Sequence, residues 1–174
     1  MKIVFSSSVA WYVFNFRLDL LRSLQKDGHE IYTVATYDDY AKKLVACGIT
    51  FINLKVNNNK TNPLQDILLI LRYFKIYKSN KPDLICHNTI KPNIYGTIAA
   101  RLLNIPVVNN ISGLGTVFIK RSFLTTIAIQ LYRFSQKFAK IVIFQNKHDQ
   151  KLFNDMNIVS LNKTRVINGS GVDT

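Results

Sequence analysis

The chain has 174 residues, 48% of them hydrophobic and 19% charged, with seven Gly and four Pro, which excludes a disordered tail and sets one folded domain of ordinary size. Its 23 Lys and Arg against 10 Asp and Glu give a net charge of +13, so nucleic acid, an anionic membrane face and phosphorylated substrates are the partner classes left open. Cys47 and Cys86 lack the spacing of a metal site or a redox pair and read as buried thiols of a reduced, cytoplasmic setting.

In chain order, Met1 to Phe5 carries one basic residue and a short apolar run that soon meets serines, which predicts a first strand over 2–5 and not a signal peptide. Phe16, Leu20, Leu21 and Leu24 recur at helical spacing and predict an amphipathic helix over 15–26, stopped by Gly28. A second strand is predicted at 30–35, a charged surface helix at 38–46 ended by Gly48, and a third strand at 50–54. The polar run 57–63 ends in Asn62-Pro63, suited to a helix cap and a first helical residue, so a long helix follows to about Ser79. Next come a strand at 83–86, an Ala- and Leu-rich helix at 92–103, a strand at 106–110 and an irregular loop at 111–121. A long helix over 122–137, a buried strand at 141–144, a helix at 147–156 and a last strand at 164–167 complete the chain. Residues 123–131 form the longest greasy stretch, but Thr125, Thr126 and Gln130 interrupt it. It falls well short of the roughly 20 residues of a membrane span, so any membrane contact is expected to be peripheral.

Short apolar strands alternating with helices predict an α/β fold, a Rossmann-like doubly wound parallel sheet covered on both faces. Ligands of such sheets lie at the carboxyl ends of the strands, which directs attention to the strand exits. The first exit, Ser6-Ser7-Ser8-Val9-Ala10-Trp11, leads towards a helix whose amide groups suit an anion, with Asn15 and Arg17 near the helix start; it carries no G-x-G-x-x-G pattern. The second, His87-Asn88-Thr89-Ile90-Lys91-Pro92-Asn93, concentrates groups suited to hydroxyls and phosphate oxygens. His87 has no acidic neighbour in sequence that would make it a general base. The third, Asn109-Asn110-Ile111-Ser112-Gly113-Leu114-Gly115-Thr116, either turns a tight corner on its glycines or brings backbone amides to a cleft. Arg72, Lys75 and Lys78 beside Tyr73, Phe74 and Tyr77, and Lys120, Arg121, Arg133, Lys137 and Lys140 beside Phe123, Tyr132, Phe134 and Phe138, form two basic stripes edged by aromatics. Such stripes suit an anionic membrane surface, or simply a solvated face.

Several segments carry a resemblance: Gly28-His29-Glu30, Pro82-Asp83-Leu84-Ile85 before the Lys91 loop, Ala99-Ala100-Arg101 followed by Ile105-Pro106-Val107-Val108, Ser112 to Phe118, and the closing Asn168-Gly169-Ser170-Gly171-Val172-Asp173. In this order the sequence resembles the family 4 GT-B glycosyltransferases, especially the branch that builds bacterial surface polysaccharides, such as capsule or O-antigen, and glycans on undecaprenyl-diphosphate carriers. The resemblance implies the N-terminal, acceptor-side half of a GT-B fold over 1–167, the start of the interdomain linker at 168–174, and a C-terminal donor-binding domain outside the chain.

It further implies retaining transfer of a sugar from a nucleotide diphosphate sugar to a lipid-linked glycan, with no metal and no other cofactor, and an isolated half that is inactive. Lys91 and Asn93 resemble the family's loop after the fourth strand, and Gly113 and Gly115 its glycine loop at the interdomain cleft. Ser112 stands where many relatives have His, so no catalytic residue is assigned, and His87 is carried over as a cleft residue. Ser7, Ser8, Asn15, Arg17, His87, Asn88, Lys91, Asn93, Ser112, Gly113 and Gly115 are the substrate-binding candidates. The expected partners are a lipid-linked sugar acceptor, an anionic membrane surface met by the basic helices, and the C-terminal domain. The expected place is the inner face of the cytoplasmic membrane. No RRM signature or zinc knuckle points to nucleic acid. A sugar epimerase of the same architecture and a non-catalytic basic α/β binding module are the alternatives.

Overall fold

The computed structural model describes residues 1–55, 63–113, 123–167 and 169, the side chains of Phe123 and Leu124 excepted. Seven strands form one parallel sheet in the order β3-β2-β1-β4-β5-β6-β7. The strands are β1 Lys2–Val9, β2 Glu30–Thr36, β3 Thr50–Asn53, β4 Leu84–Asn88, β5 Val107–Ile111, β6 Ile141–Phe144 and β7 Thr164–Val166. The α-helices are α1 Ala10–Lys26, α2 Asp39–Ala46, α3 Pro63–Asn80, α4 Thr97–Leu102, α5 Phe123–Gln136 and α6 Lys147–Asp155. Gly28 and Gly48, at φ +80° and +77°, end α1 and α2 in the left-handed conformation that glycine adopts without strain.

Period-two alternation along the strands divides the core. Val4, Ile85, Val107, Val142 and Phe144 face one side, where Tyr73 and Tyr77 of α3, Ala99 and Ala100 of α4, Tyr132 of α5 and Phe153 of α6 cover them. Ile3, Phe5 and Ile31 face the other, under Val13 and Leu21 of α1 and Ala41 and Leu44 of α2. Among the described residues, this second face over β4 to β6 is an open apolar groove of about 450 Å³, with Leu84, Cys86, Val108 and Ile143 in its floor and Phe16, Leu20 and Leu24 of α1 along one wall.

Three local expectations are corrected. Ser6, Ser7 and Ser8 belong to β1 and not to a loop, because Ser6 pairs in the ladder with both Val34 and His87; ladder pairing overrides the weak strand preference of serine. Likewise His87 and Asn88 are the last residues of β4 and not of the loop after it. Helix α1 starts at Ala10, five residues before the periodic run. Its N-cap, Val9, supplies no side chain; the Trp11 N–H donates instead to Asp38 Oδ2 at 2.8 Å, while Asp38 Oδ1 accepts from Tyr40 N at 2.9 Å as the cap of α2. One carboxylate thus caps two helices, and it occupies the α1 amide position where the sequence suggested an anion. The Asp38→Ala variant is expected to lose about 1–2 kcal/mol, read as a lower urea midpoint at unchanged slope.

Candidate functional site

The sheet order reverses at β1, which lies between β2 and β4, so the switch point of this fold is at the carboxyl ends of β1 and β4. Ser8 and Thr89 close that point: the Ser8 N–H donates to Thr89 Oγ1 at 3.1 Å, and the two hydroxyl oxygens lie 2.8 Å apart. Thr89 has φ +70°, a left-handed conformation that is strained for a β-branched residue and is held here by its surroundings. Arg17 reaches across from α1, its Nε donating to Asn88 Oδ1 at 3.2 Å and its Nη2 to Tyr12 Oη at 3.3 Å. Asn110 Nδ2 donates to the same Asn88 Oδ1 at 3.3 Å. Two neighbouring elements, α1 and β5, therefore converge on Asn88, at the polar mouth of the apolar groove.

Two buried polar atoms at this point are unsatisfied among the described residues, Ser7 Oγ and Asn88 Nδ2. Ser7 lies one residue beyond the Ser6–His87 pairing and so beside Asn88 on the neighbouring strand. A buried polar atom without a partner is costly and calls for a group to satisfy it. Cys86, further down the groove floor, is inert: desolvation pushes its thiol up to about 12 despite the opposing charge of Arg17.

His87 and Asn93 point the other way. The His87 ring is wholly buried, with Nδ1 2.9 Å from Asn109 Oδ1 and Nε2 2.9 Å from Tyr77 Oη. Asn109 Nδ2 donates to Gln136 Oε1 at 2.7 Å, and Gln136 Nε2 donates to the Asn93 carbonyl at 3.0 Å. Asn93 Nδ2 then ties back to the Asn110 carbonyl at 3.0 Å. This network fastens a π-turn, Pro92–Gly96, between β4 and α4; π-turns inside helices are rare and gather at functional sites. Desolvation lowers the His87 pKa to about 4, against the opposing hydrogen bond to Asn109. The ring is neutral and a framework member, and the expectation of His87 as a cleft residue is replaced by that role.

The structure thus gathers Ser7, Ser8, Arg17 and Asn88 at one point and adds Thr89 and Asn110, which the sequence reading had not singled out. Nothing short of backbone φ reveals Thr89, whereas Asn110 sits in a conspicuous Asn-Asn pair at a strand end. Asn15 is not part of the group: it is exposed and its amide donates to the Trp11 carbonyl at 2.8 Å. Lys91 is half-buried and lines a separate hollow with Lys55 and Arg72. Ser112 and Gly113 follow β5, with Gly113 exposed at φ +147°. Gly115 lies outside the described residues, as do Lys120, Arg121 and most of the closing Asn168-to-Asp173 motif.

The expected aromatic edges of the basic stripes are also corrected. Tyr73, Tyr77 and Tyr132 are buried core residues, and Arg133 donates to the Met156 carbonyl at 2.7 Å, whereas Phe134 is exposed as expected. What α3 exposes instead is Leu64, Ile67, Leu68 and Leu71, an i, i+3, i+4, i+7 apolar stripe beside Lys75 and Lys78. Among the described residues no helix is long and apolar enough to cross a membrane, and no cluster of three His, Cys, Asp or Glu side chains is placed to hold a metal ion.

A family model described as glycosyl transferase 4-like matches residues 2–146. The chain is 26% identical over 178 residues to the N,N'-diacetylbacillosaminyl-diphospho-undecaprenol alpha-1,3-N-acetylgalactosaminyltransferase of Campylobacter jejuni, covering 99% of this chain and 47% of that protein. Among solved structures it resembles a glycosyltransferase from Rickettsia africae (TM-score 0.71, 16% identity, 96% of this chain and 42% of that one). It also resembles Anabaena Alr3699/HepE, solved with UDP and glucose (TM-score 0.69, 19% identity, 97% and 44%). UDP-N-acetylglucosamine 2-epimerases share the fold at TM-scores of 0.64 and 0.67. The chain therefore spans about half the length of these relatives, and its fold is the Rossmann-like half of a GT-B fold expected from the sequence.

Proposed function

The chain belongs to the glycosyl transferase 4-like family, and we propose that it is the acceptor-side half of a retaining glycosyltransferase that moves a sugar from a nucleotide diphosphate sugar to a lipid-linked glycan in surface polysaccharide or glycan assembly. The observation that carries this reading is the switch point itself, where Ser7 Oγ and Asn88 Nδ2 are buried without partners beside the strained Thr89. Sugar hydroxyls are both donors and acceptors and would satisfy both atoms. The Campylobacter relative, named for a sugar linked through a diphosphate to undecaprenol, supports a lipid-linked acceptor, and the UDP and glucose in the Anabaena neighbour support a nucleotide-sugar donor.

In this proposal residues 1–167 form the acceptor domain, residues 168–174 begin the linker, and a second domain of the parent holds the donor. Coverage of about half of each relative supports that division, and so does the open apolar face over β4 to β6, since parallel sheets are ordinarily covered on both faces. The departing diphosphate takes the acceptor proton on the same face of the sugar, so the chemistry needs no protein base, metal or other cofactor. Stabilising that leaving group carries the rate. The parent docks on the inner face of the cytoplasmic membrane through the Leu64-Ile67-Leu68-Leu71 stripe of α3, flanked by Lys75 and Lys78, as a peripheral enzyme on anionic lipid.

The full-length parent, incubated with a panel of nucleotide sugars and an undecaprenyl-diphosphate-linked sugar, is expected to yield a glycolipid longer by one residue, detected by mass spectrometry. No extension with any donor, together with release of an epimerised sugar, would establish the epimerase alternative instead.

A further inference from the structure

The exits of β3 and β4 and one side of α3 enclose a hollow of about 200 Å³ whose charged lining is Lys55, Arg72, Lys91 and Asp66. Among the described residues, three cations against one carboxylate leave two positive charges in excess. Asp66 is already engaged by the hydroxyl of Tyr95, a residue of the anchored π-turn. Arg72 Nη1 donates to the Lys55 carbonyl, which turns this guanidinium out of the basic stripe and clamps α3 to the end of β3. Lys91 stands between the strained Thr89 and Pro92, on backbone that the buried His87–Asn109–Gln136–Asn93 network holds in place. The cations are thus carried on three elements whose positions are set by packing, at the carboxyl edge of the sheet where this fold places its ligands.

We infer that this hollow binds a diphosphate, the one that links the acceptor sugar to its lipid; the assignment of source rests on the function proposed above. Two excess charges match a diphosphate diester, and a guanidinium with two ammonium groups is the chemistry that recognises phosphate oxygens. A diphosphate could also arrive on a nucleotide. The lining favours the lipid, because Leu68 forms part of the hollow's wall and also of the exposed Leu64-Ile67-Leu68-Leu71 stripe. A chain leaving the hollow on that side would therefore run along apolar surface, as a lipid does.

The test is calorimetric binding of farnesyl diphosphate, inorganic pyrophosphate and UDP to the full-length parent and to its Lys55→Gln, Lys91→Gln and Lys42→Gln variants, with circular dichroism confirming the fold of each. Farnesyl diphosphate is expected to bind more tightly than pyrophosphate and to lose about tenfold or more in the Lys55 and Lys91 variants, with no change in Lys42→Gln, which is exposed on α2 and does not line the hollow. Unchanged affinity in the Lys55 and Lys91 variants, or an equal loss in Lys42→Gln, would overturn the site. A loss confined to UDP, or equal affinity for pyrophosphate and farnesyl diphosphate, would overturn the lipid assignment. None of these readings depends on sugar transfer, so a parent that binds farnesyl diphosphate here but extends no glycolipid would refute the transferase reading and leave the hollow standing.

Discussion

The Gly96→Ala variant is expected to lose about 2–4 kcal/mol of stability, although residue 96 has ordinary helical dihedrals that alanine adopts readily. The reason is space. A Cβ at this position would stand 2.4 Å from His87 Nε2 and 2.9 Å from its Cδ2, closer than carbon packs against any atom. The imidazole cannot swing aside, because Tyr77 Oη holds one nitrogen and Asn109 Oδ1 the other inside a core with no exposed surface. Either the ring gives up two buried hydrogen bonds or the π-turn lifts from β4. Urea unfolding of Gly96→Ala should show the loss as a lower midpoint, and the same substitution in a His87→Ala background should do much less harm. Additive losses in the double variant would mean that the ring is not what the methyl group meets.

Acidification from pH 7 to about pH 4 is expected to remove about 3 kcal/mol of stability through His87 alone. In the unfolded chain the imidazole titrates near 6.5, whereas burial holds it unprotonated in the fold down to about 4. Between those values the unfolded state binds a proton that the folded state refuses, so stability is fully present above pH 6.5 and falls as pH drops through the interval. The ring's partners are Tyr77, Asn109 and Thr97, all uncharged, and the nearby Tyr73 and Tyr77 hydroxyls are themselves pushed upward by burial. Among the described residues no carboxylate hydrogen-bonds the ring to stabilise the imidazolium. Urea midpoints at pH 7 and pH 4.5 should therefore separate strongly in the natural chain and by less in His87→Gln, which starts less stable but has no proton to take up. Parallel pH slopes in the two proteins would refute the assignment.

The order of elements was legible throughout the described residues because burial leaves periodic traces. Leu20, Leu21 and Leu24 announce α1, and continuous apolar runs such as Ile141–Phe144 announce strands of a parallel sheet. Element ends were less legible. Val9 offers no cap for α1, and Asp38, the residue that provides one, lies beyond the whole of β2. The serines at 6–8 read as a loop because local preference carries no information about the two strands that pair with them. Of the candidate site residues, Ser7, Ser8, Arg17 and Asn88 meet at the switch point, but His87 and Asn93, in the same polar run, turn inward. Alternation along β4 puts Asn88 on one face and His87 on the other, and which face was open depended on where α1 and α3 came to rest.

The sequence by itself determined the class of fold, the net positive charge, and the strand exits where polar groups collect, because hydrophobic period, net charge and turn chemistry are local properties of the chain. Only the tertiary structure decided which of those groups meet. The convergence of Arg17 and Asn110 on Asn88, the pairing of Ser8 with Thr89, the closeness of Gly96 to His87, and the hollow that joins Lys55, Arg72 and Lys91 all depend on distances between segments far apart in sequence. Packing sets those distances, since two helices and a sheet have few ways to bury their apolar faces together and each way brings a different set of polar residues into contact.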